Sequence, residues 1–198
     1  MSALLVVGSA PCAYEDLAKA KKLYPNAETM TINGACTMFE DVEHMLAGHT
    51  AKATEFFNAR KAAFPNAKPV RVHANWAFPG KAPKNEFPCV TDWWGGEYSS
   101  GATSAGKAAL IGMALGFNPV ILCGCPMDGS GYSFEEAKVS QDKSCHRVGD
   151  ANVQDRRIIK RYKETLISLA QTTFKGRVFS MSGFTRLHLG APPSIEAC

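Results

Sequence analysis

No run in this chain is long and apolar enough to cross a membrane. Its opening residues, Met1-Ser2-Ala3-Leu4-Leu5-Val6-Val7-Gly8, have neither the charged start nor the extended apolar core of a secretory leader. A soluble, cytoplasmic protein without a membrane span is expected. Charge of one sign is also in short supply: 22 Lys plus Arg face 18 Asp plus Glu. The resulting net charge of +4 is no basic stripe for nucleic acid and leaves only a mild preference for anionic small molecules. Paired Cys-x-x-Cys spacing is missing too. The seven cysteines (Cys12, Cys36, Cys89, Cys123, Cys125, Cys145, Cys198) are odd in number and several lie in apolar runs, which argues against a disulfide framework. Cys123-Gly124-Cys125 with Cys145-His146 departs from zinc-site spacing, so structural thiols and no metal are expected there. Internal repeats and low-complexity tracts are absent.

What is present is enough apolar residue, 45% of 198, to close one substantial core, and a single domain over residues 1–198 is expected. Leu4 to Val7 is a short apolar run ending in Gly8-Ser9-Ala10-Pro11, the pattern of a buried parallel strand feeding a tight turn. Ala13, Leu17, Ala20 and Tyr24 recur at helical spacing, Thr29 to Ile32 reads as a second strand ending at Asn33-Gly34, and Met38, Val42, Met45 and Leu46 continue helically. That helical run places His44 at the surface or its boundary. Ala51 to Phe64 reads as a helix and Val70 to Ala74 as a strand. Residues 75–98, rich in Gly, Pro and Trp, read as a long loop over the site, and Met127 to Gly149 as a second. Between them come a small-residue helix, Thr103 to Leu115, and an apolar strand, Val120 to Cys123. A helix over Val153 to Thr172 and a strand over Arg177 to Met181 follow. Alternating strands and helices predict an α/β, Rossmann-like, mainly parallel sheet with helices on both faces.

In such a sheet, ligands bind outside the carboxyl ends of the strands. The Gly8 to Pro11 turn, the Ser99-Ser100-Gly101 turn and the Gly124 to Asp128 loop all fall at such ends. Amides and a helix dipole at the first of these suit a phosphate, although an ordinary strand-to-helix turn looks the same. Cys12 beside it reads as packing. Gly101-Ala102-Thr103-Ser104-Ala105-Gly106-Lys107 nearly spells a P-loop, but Ala108 stands where a magnesium-binding Ser or Thr is needed and no apolar strand runs into Gly101. It reads instead as a small-residue helix start that lets a ligand approach the backbone. The basic residues Arg156, Arg157, Lys160, Arg161 and Lys163 read as a solvated helix face. Among the histidines, His146 is the candidate acid or base, because imidazole titrates near neutrality and its loop should overhang the crevice.

In order and spacing these motifs resemble the small Rossmann-like bacterial sialyltransferases, and the wider superfamily that includes motility accessory factors and archaeal-type 6-hydroxymethylpterin diphosphokinases. Uncharacterised phage and bacterial members look closest. The likeness runs through Val6 to Pro11, Asn33, Ser100-Gly101, Ala114 to Gly124, Gly131-Tyr132-Ser133-Phe134, and a tail from Arg177 through Ser182 to Pro192. It implies a nucleotide lying across Gly8, Ser9, Ala10, Pro11, Asn33, Ser99, Ser100 and Gly101, with Gly124 and Ser182 alongside. It implies catalytic roles in the region of Tyr132, Asp128, His146 and Asp150. Asp150 stands where that family has its catalytic His, His146 lies four residues earlier, and the acid after the central strand is displaced to Asp128 by Cys125-Pro126. The implied activity is transfer of a group from a nucleotide or nucleotide-sugar donor, in glycosyltransferase fashion, with a CMP-type donor and no obligatory metal. An ATP-dependent pterin diphosphokinase-like enzyme would instead need magnesium near carboxylates such as Asp128. A non-catalytic nucleotide-binding or sequestering protein is the third reading. The oligomeric state is left open.

Overall fold

A strand buried on both faces must be apolar along its whole length, and the first strand, β1 (Leu4–Val7), is fully enclosed in the computed structural model. The structure describes residues 2–75, 84–101, 103–127 and 153–193, and for 99–101 and 153–159 the backbone only. After β1 come α1 (Ala13–Leu23), β2 (Glu28–Ile32), a 3-10 helix (Asn33–Thr37), β3 (His44–Ala47), a 3-10 turn (Thr50–Lys52) and α2 (Ala53–Ala63). Next are β4 (Arg71–Asn75), β5 (Asp92–Trp94), a 3-10 helix (Gly96–Gly101), α3 (Ser104–Ala114), β6 (Val120–Cys123), α4 (Val153–Gln171), β7 (Val178–Ser180) and α5 (Gly183–Leu189).

The strands form one seven-stranded sheet in the order β5-β4-β3-β2-β1-β6-β7, with every pairing parallel. The alternation of side chains along each strand sorts the core into two faces. Leu4, Val6, Met30, Ile32, Leu46 and Leu122 pack with Ala108, Ala109 and Ile111 of α3 and Leu166 of α4. On the other face Leu5, Val7, Ile121 and Cys123 meet Ala13, Leu17 and Ala20 of α1, while Met45, Ala47 and Val72 meet Ala53 and Phe56 of α2. The small residues of α3 have a steric purpose: a Cβ added to Gly112 would lie 2.6 Å from Leu4 Cδ2. The result is a single α/β domain with helices on both faces, as expected from the alternation of elements. Among the described residues no helix is long and apolar enough to cross a membrane.

Some local readings change. The helical reading of Met38 to Leu46 gives way to strand β3 over His44–Ala47, preceded by the short 3-10 helix. β3 is covered on both faces, so its apolar run carries no period-2 signature, and a short continuous run does not distinguish strand from helix. His44 is consequently buried, where a surface position was expected. The long loop expected over 75–98 contains β5 and the start of a 3-10 helix. α5 was not foreseen at all; a glycine with φ +63° opens it directly after β7.

Candidate functional site

The chain builds β1 through β5 outward on one side and then returns to place β6 and β7 on the other side of β1. The carboxyl ends of β1 and β6 therefore diverge at a topological switch point, the usual position of a ligand crevice in open α/β sheets. Parallel register aligns Val7 with both Thr31 and Cys123, so the turns beginning at Gly8 and Gly124 and the segment at Asn33 leave the sheet side by side.

At this switch point the turns pack on one another. Gly8 donates its amide to Cys123 O at 2.9 Å, and Ala10 donates to Gly124 O at 3.2 Å. A Cβ on Gly8 would lie 2.5 Å from Gly124 O and 2.6 Å from Cys125 Sγ. Gly124 has φ +61°, and its Cβ would fall 2.5 Å from that of Ala13. These two glycines thus allow backbone to approach backbone. The buried carboxylate of Asp16 locks the arrangement, accepting from Gly124 N at 2.9 Å and from Ser182 Oγ at 2.6 Å. Since the Ser182 hydroxyl gives its proton to Asp16, the Cys12 thiol 3.4 Å away is the donor in that contact. Burial first, and Asp16 after it, push the Cys12 thiol up, the opposite of an activated nucleophile. Burial also pushes Cys125 up to about 12 and raises Cys123 well above its ordinary value, so both are neutral packing thiols.

The Asn33 side of the edge is more open in its chemistry. Asn33 adopts φ +50°, a left-handed conformation that asparagine tolerates better than most residues. Its Oδ1 accepts from Gly48 N at 2.8 Å, and its Nδ2 donates to Ser104 Oγ at 3.2 Å. The side chain therefore ties β2, β3 and α3 together and, among the described residues, keeps one N–H and one oxygen lone pair unspent. α3 is capped by Thr103, whose hydroxyl accepts from Gly106 N at 3.0 Å, a contact worth about 1 kcal/mol. A Cβ on Gly48 would lie 2.3 Å from Ser104 Oγ, so the end of β3 sits directly on the first turn of α3. The next residue, His49, consequently lies beside the face of α3 that carries Ser104 and, one turn on, Lys107. Burial and the neighbouring ammonium groups of Lys107 and Lys52 hold His49 below its ordinary pKa; burial does the same to Lys107.

The near-P-loop dissolves in this setting. β5 ends at Trp94, a 3-10 helix occupies Gly96–Gly101, and Ser104 to Gly106 are already helical, so no strand-loop-helix cradle surrounds Lys107. Of the residues expected to bind nucleotide, Gly8, Ser9, Ala10, Pro11, Asn33, Gly124 and Ser182 stand at the carboxyl edge, and the backbone of Ser99, Ser100 and Gly101 leads into α3 on the same edge. The expected catalytic residues Asp128, Tyr132, His146 and Asp150 lie outside the described residues, as does Cys145. Among the described residues no group of three or more His, Cys, Asp or Glu side chains is placed to hold a metal ion.

Sequence reasoning passed over Asp16, Gly48, His49 and Lys107 as site residues. Asp16 had a legible signal: it occupies an inward position of the Ala13, Leu17, Ala20 stripe, where a lone carboxylate calls for buried donors. Lys107 was discounted together with the P-loop motif, although a lysine in the first turn of a buried helix is unusual by itself.

The fold is similar to that of a sialyltransferase. One match is to a structure described as the sialyltransferase CstII from Campylobacter jejuni in complex with a substrate analogue, CMP-3FNeuAc. It has a TM-score of 0.64 and covers 98% of this chain and 88% of that one, at 11% sequence identity. No protein-family model matches the sequence, and no curated protein matches it significantly. The likeness is thus one of architecture.

Proposed function

We propose that this protein binds a nucleotide or nucleotide-sugar across the carboxyl edge of its sheet and transfers a group from it, in the manner of a glycosyltransferase. The observation that carries the reading is the switch point between β1 and β6 in a fold that follows a sialyltransferase over 98% of the chain. In this reading Asn33 uses its unspent N–H and lone pair on the ligand, joined by Ser9, Pro11 and the Ser99-Ser100-Gly101 segment. Gly8, Ala10, Gly124 and Ser182 form the floor that holds those groups in place. Residues 75–98 and 127–149 border the site. Transfer needs stabilisation of the departing phosphate by amides and hydroxyls, and a base for the acceptor proton, assigned to His146 or Asp150, with Tyr132 and Asp128 from the same segment assisting. No metal is required by this scheme.

A thermal-shift screen over CMP, CDP, UDP, GDP and adenine nucleotides tests the binding, and turnover of the corresponding donors tests the transfer. A nucleotide that stabilises the wild-type protein but not Asn33→Ala supports the reading. His146→Ala should then lower turnover roughly a hundredfold with affinity nearly unchanged. If Asp150→Asn is dead while His146→Ala is active, the base is Asp150. Binding without turnover of any donor makes the protein a sequestering module, and no binding by any nucleotide removes the proposal.

A further inference from the structure

The first turn of α5 is spent on a single loop, the one that leaves β6. Gly183 opens the helix at φ +63°, and a Cβ there would lie 2.6 Å from Pro126 O, so the helix start rests on the backbone of that loop. Thr185, fully buried, donates its amide to the same Pro126 O at 3.3 Å. Its hydroxyl is 2.7 Å from Ser180 Oγ, 3.0 Å from Cys125 O and 2.9 Å from Ser182 O. The other acceptors of the Ser180 proton, Leu122 O and Ser182 O, are at 3.5 and 3.4 Å, so Ser180 donates to Thr185 and Thr185 gives its one proton to the carbonyls. The series Ser180, Thr185, Cys125 therefore crosses from β7 through α5 to the end of β6. Ser182 holds the start of the same loop through Asp16, which also accepts from Gly124 N.

Met127 shows why this loop needs holding. Among the described residues only Asn33 and Met127 are non-glycines with positive φ, +50° and +53°. They follow β2 and β6, the two strands that flank β1 at the switch point. Asparagine tolerates this conformation, whereas methionine has neither the local hydrogen bonds of asparagine nor the freedom of glycine, so the surrounding structure must keep it there. We infer that Thr185 is a positioning residue: its hydroxyl holds the Gly124 to Met127 loop in its strained form at the switch point and so sets where the chain leaves β6. The consequence for catalysis rests on the transferase reading above, which assigns the proton-handling groups to the segment after Met127. The dependence of the loop on Thr185 stands apart from that reading.

Thr185→Val exchanges the hydroxyl for a methyl group, and Thr185→Ser restores the hydroxyl. In hydrogen exchange on the ligand-free protein, the amides from Gly124 to Met127 should speed up about tenfold more than those of Leu4 to Val7 in Thr185→Val. Thr185→Ser should bring them back to within about twofold of wild type. If Thr185→Val does not fold, Ser180→Ala carries the same comparison, because it removes the donor to Thr185 and leaves Thr185 in place. With CMP-, UDP- and GDP-linked sugars as donors, Thr185→Val should lower kcat about tenfold and leave KM within about twofold, a split that a loss of stability alone does not produce. Unchanged loop exchange, acceleration shared equally by Leu4 to Val7, or no rescue by serine each overturns the inference. So does loop acceleration with kcat unchanged in an active enzyme. The two readings fail separately: if the wild type turns over none of these donors, the transferase reading falls and exchange alone decides the role of Thr185. Turnover with loop exchange unmoved in Thr185→Val removes only the positioning role.

Discussion

Two histidine clusters sit on the α3 side of the same sheet, and they are built on opposite principles. In the interior, Trp94 Nε1 donates to His73 Nδ1 at 3.2 Å, His73 Nε2 meets His44 Nδ1 at 3.0 Å, and His44 Nε2 meets Glu28 Oε2 at 2.8 Å. An indole only donates, so the sequence of donors is fixed from Trp94 to Glu28 and both rings are neutral with their protons on Nε2. Asp92 Oδ2 is 3.5 Å from His73 Nδ1, too far to displace the indole, and its carboxylate is held by Arg71 at 2.8 and 3.1 Å. Each ring nitrogen in this chain therefore has a partner, and the chain stitches β2, β3, β4 and β5 in register. At the carboxyl edge, burial and the ammonium groups of Lys107 and Lys52 hold the pKa of His49 down, where the interior rings sit in a graded series of donors and acceptors. A completed buried network of this kind specifies structure.

The contrast is broken most severely at His73. His73→Ala removes a fully buried ring and strands the Trp94 indole and His44 Nδ1, so a stability loss of about 4 kcal/mol is expected in urea unfolding. A loss below about 1 kcal/mol would mean that the interior chain holds nothing together.

A second test uses acid. Burial, and the neighbouring His44 after it, lower His73 from the ordinary 6.5 to about 4. Between these values the unfolded chain binds the proton that the folded one refuses, so stability rises with pH through the window. The contribution is complete above about pH 6.5 and is lost as pH falls toward 4, a swing on the order of 3 kcal/mol. His73 resonances should remain those of a neutral ring at about pH 5. A protonated ring there would mean that burial does not keep the proton off His73.

Asn33 belongs to the edge, yet its bonding resembles that of the interior. Asn33→Ala loses the contacts to Gly48 and Ser104 and puts alanine at φ +50°, for an expected cost of about 1–2 kcal/mol in addition to lost ligand affinity. Unchanged stability would show that the edge is held by backbone packing alone.

How much of this contrast was legible beforehand follows from the physics of each signal. β1, β6 and α3 announce themselves because continuous apolar runs and an Ala/Gly helix have few alternatives, and Gly8 and Gly124 follow as strand ends, as Asn33 does for β2. β3 was hidden because strands covered on both faces carry no alternation. His44 and His73 were then invisible as partners, since their pairing depends on parallel register that no local pattern encodes. The edge cluster was hidden for a related reason: His49 and Lys107 are far apart in sequence, and their segments come together only because Gly48 lacks a side chain where it touches Ser104.

The smallest expected effect is the one that separates the clusters most sharply, because it differs in sign. In the ligand-free protein Lys107→Met removes a half-buried ammonium that burial disfavours and that raises the cost of charging His49. Methionine keeps the length and the apolar stem, so the packing of α3 changes little. Solvent still reaches this half-buried site and screens much of the repulsion, which limits the gain to about 0.5 kcal/mol. The midpoint of unfolding should therefore rise slightly, whereas any truncation in the His73 chain lowers it. If Lys107→Met instead destabilises the ligand-free protein by about 1 kcal/mol or more, the lysine is part of the scaffold, and the edge and interior clusters are two versions of one structural device.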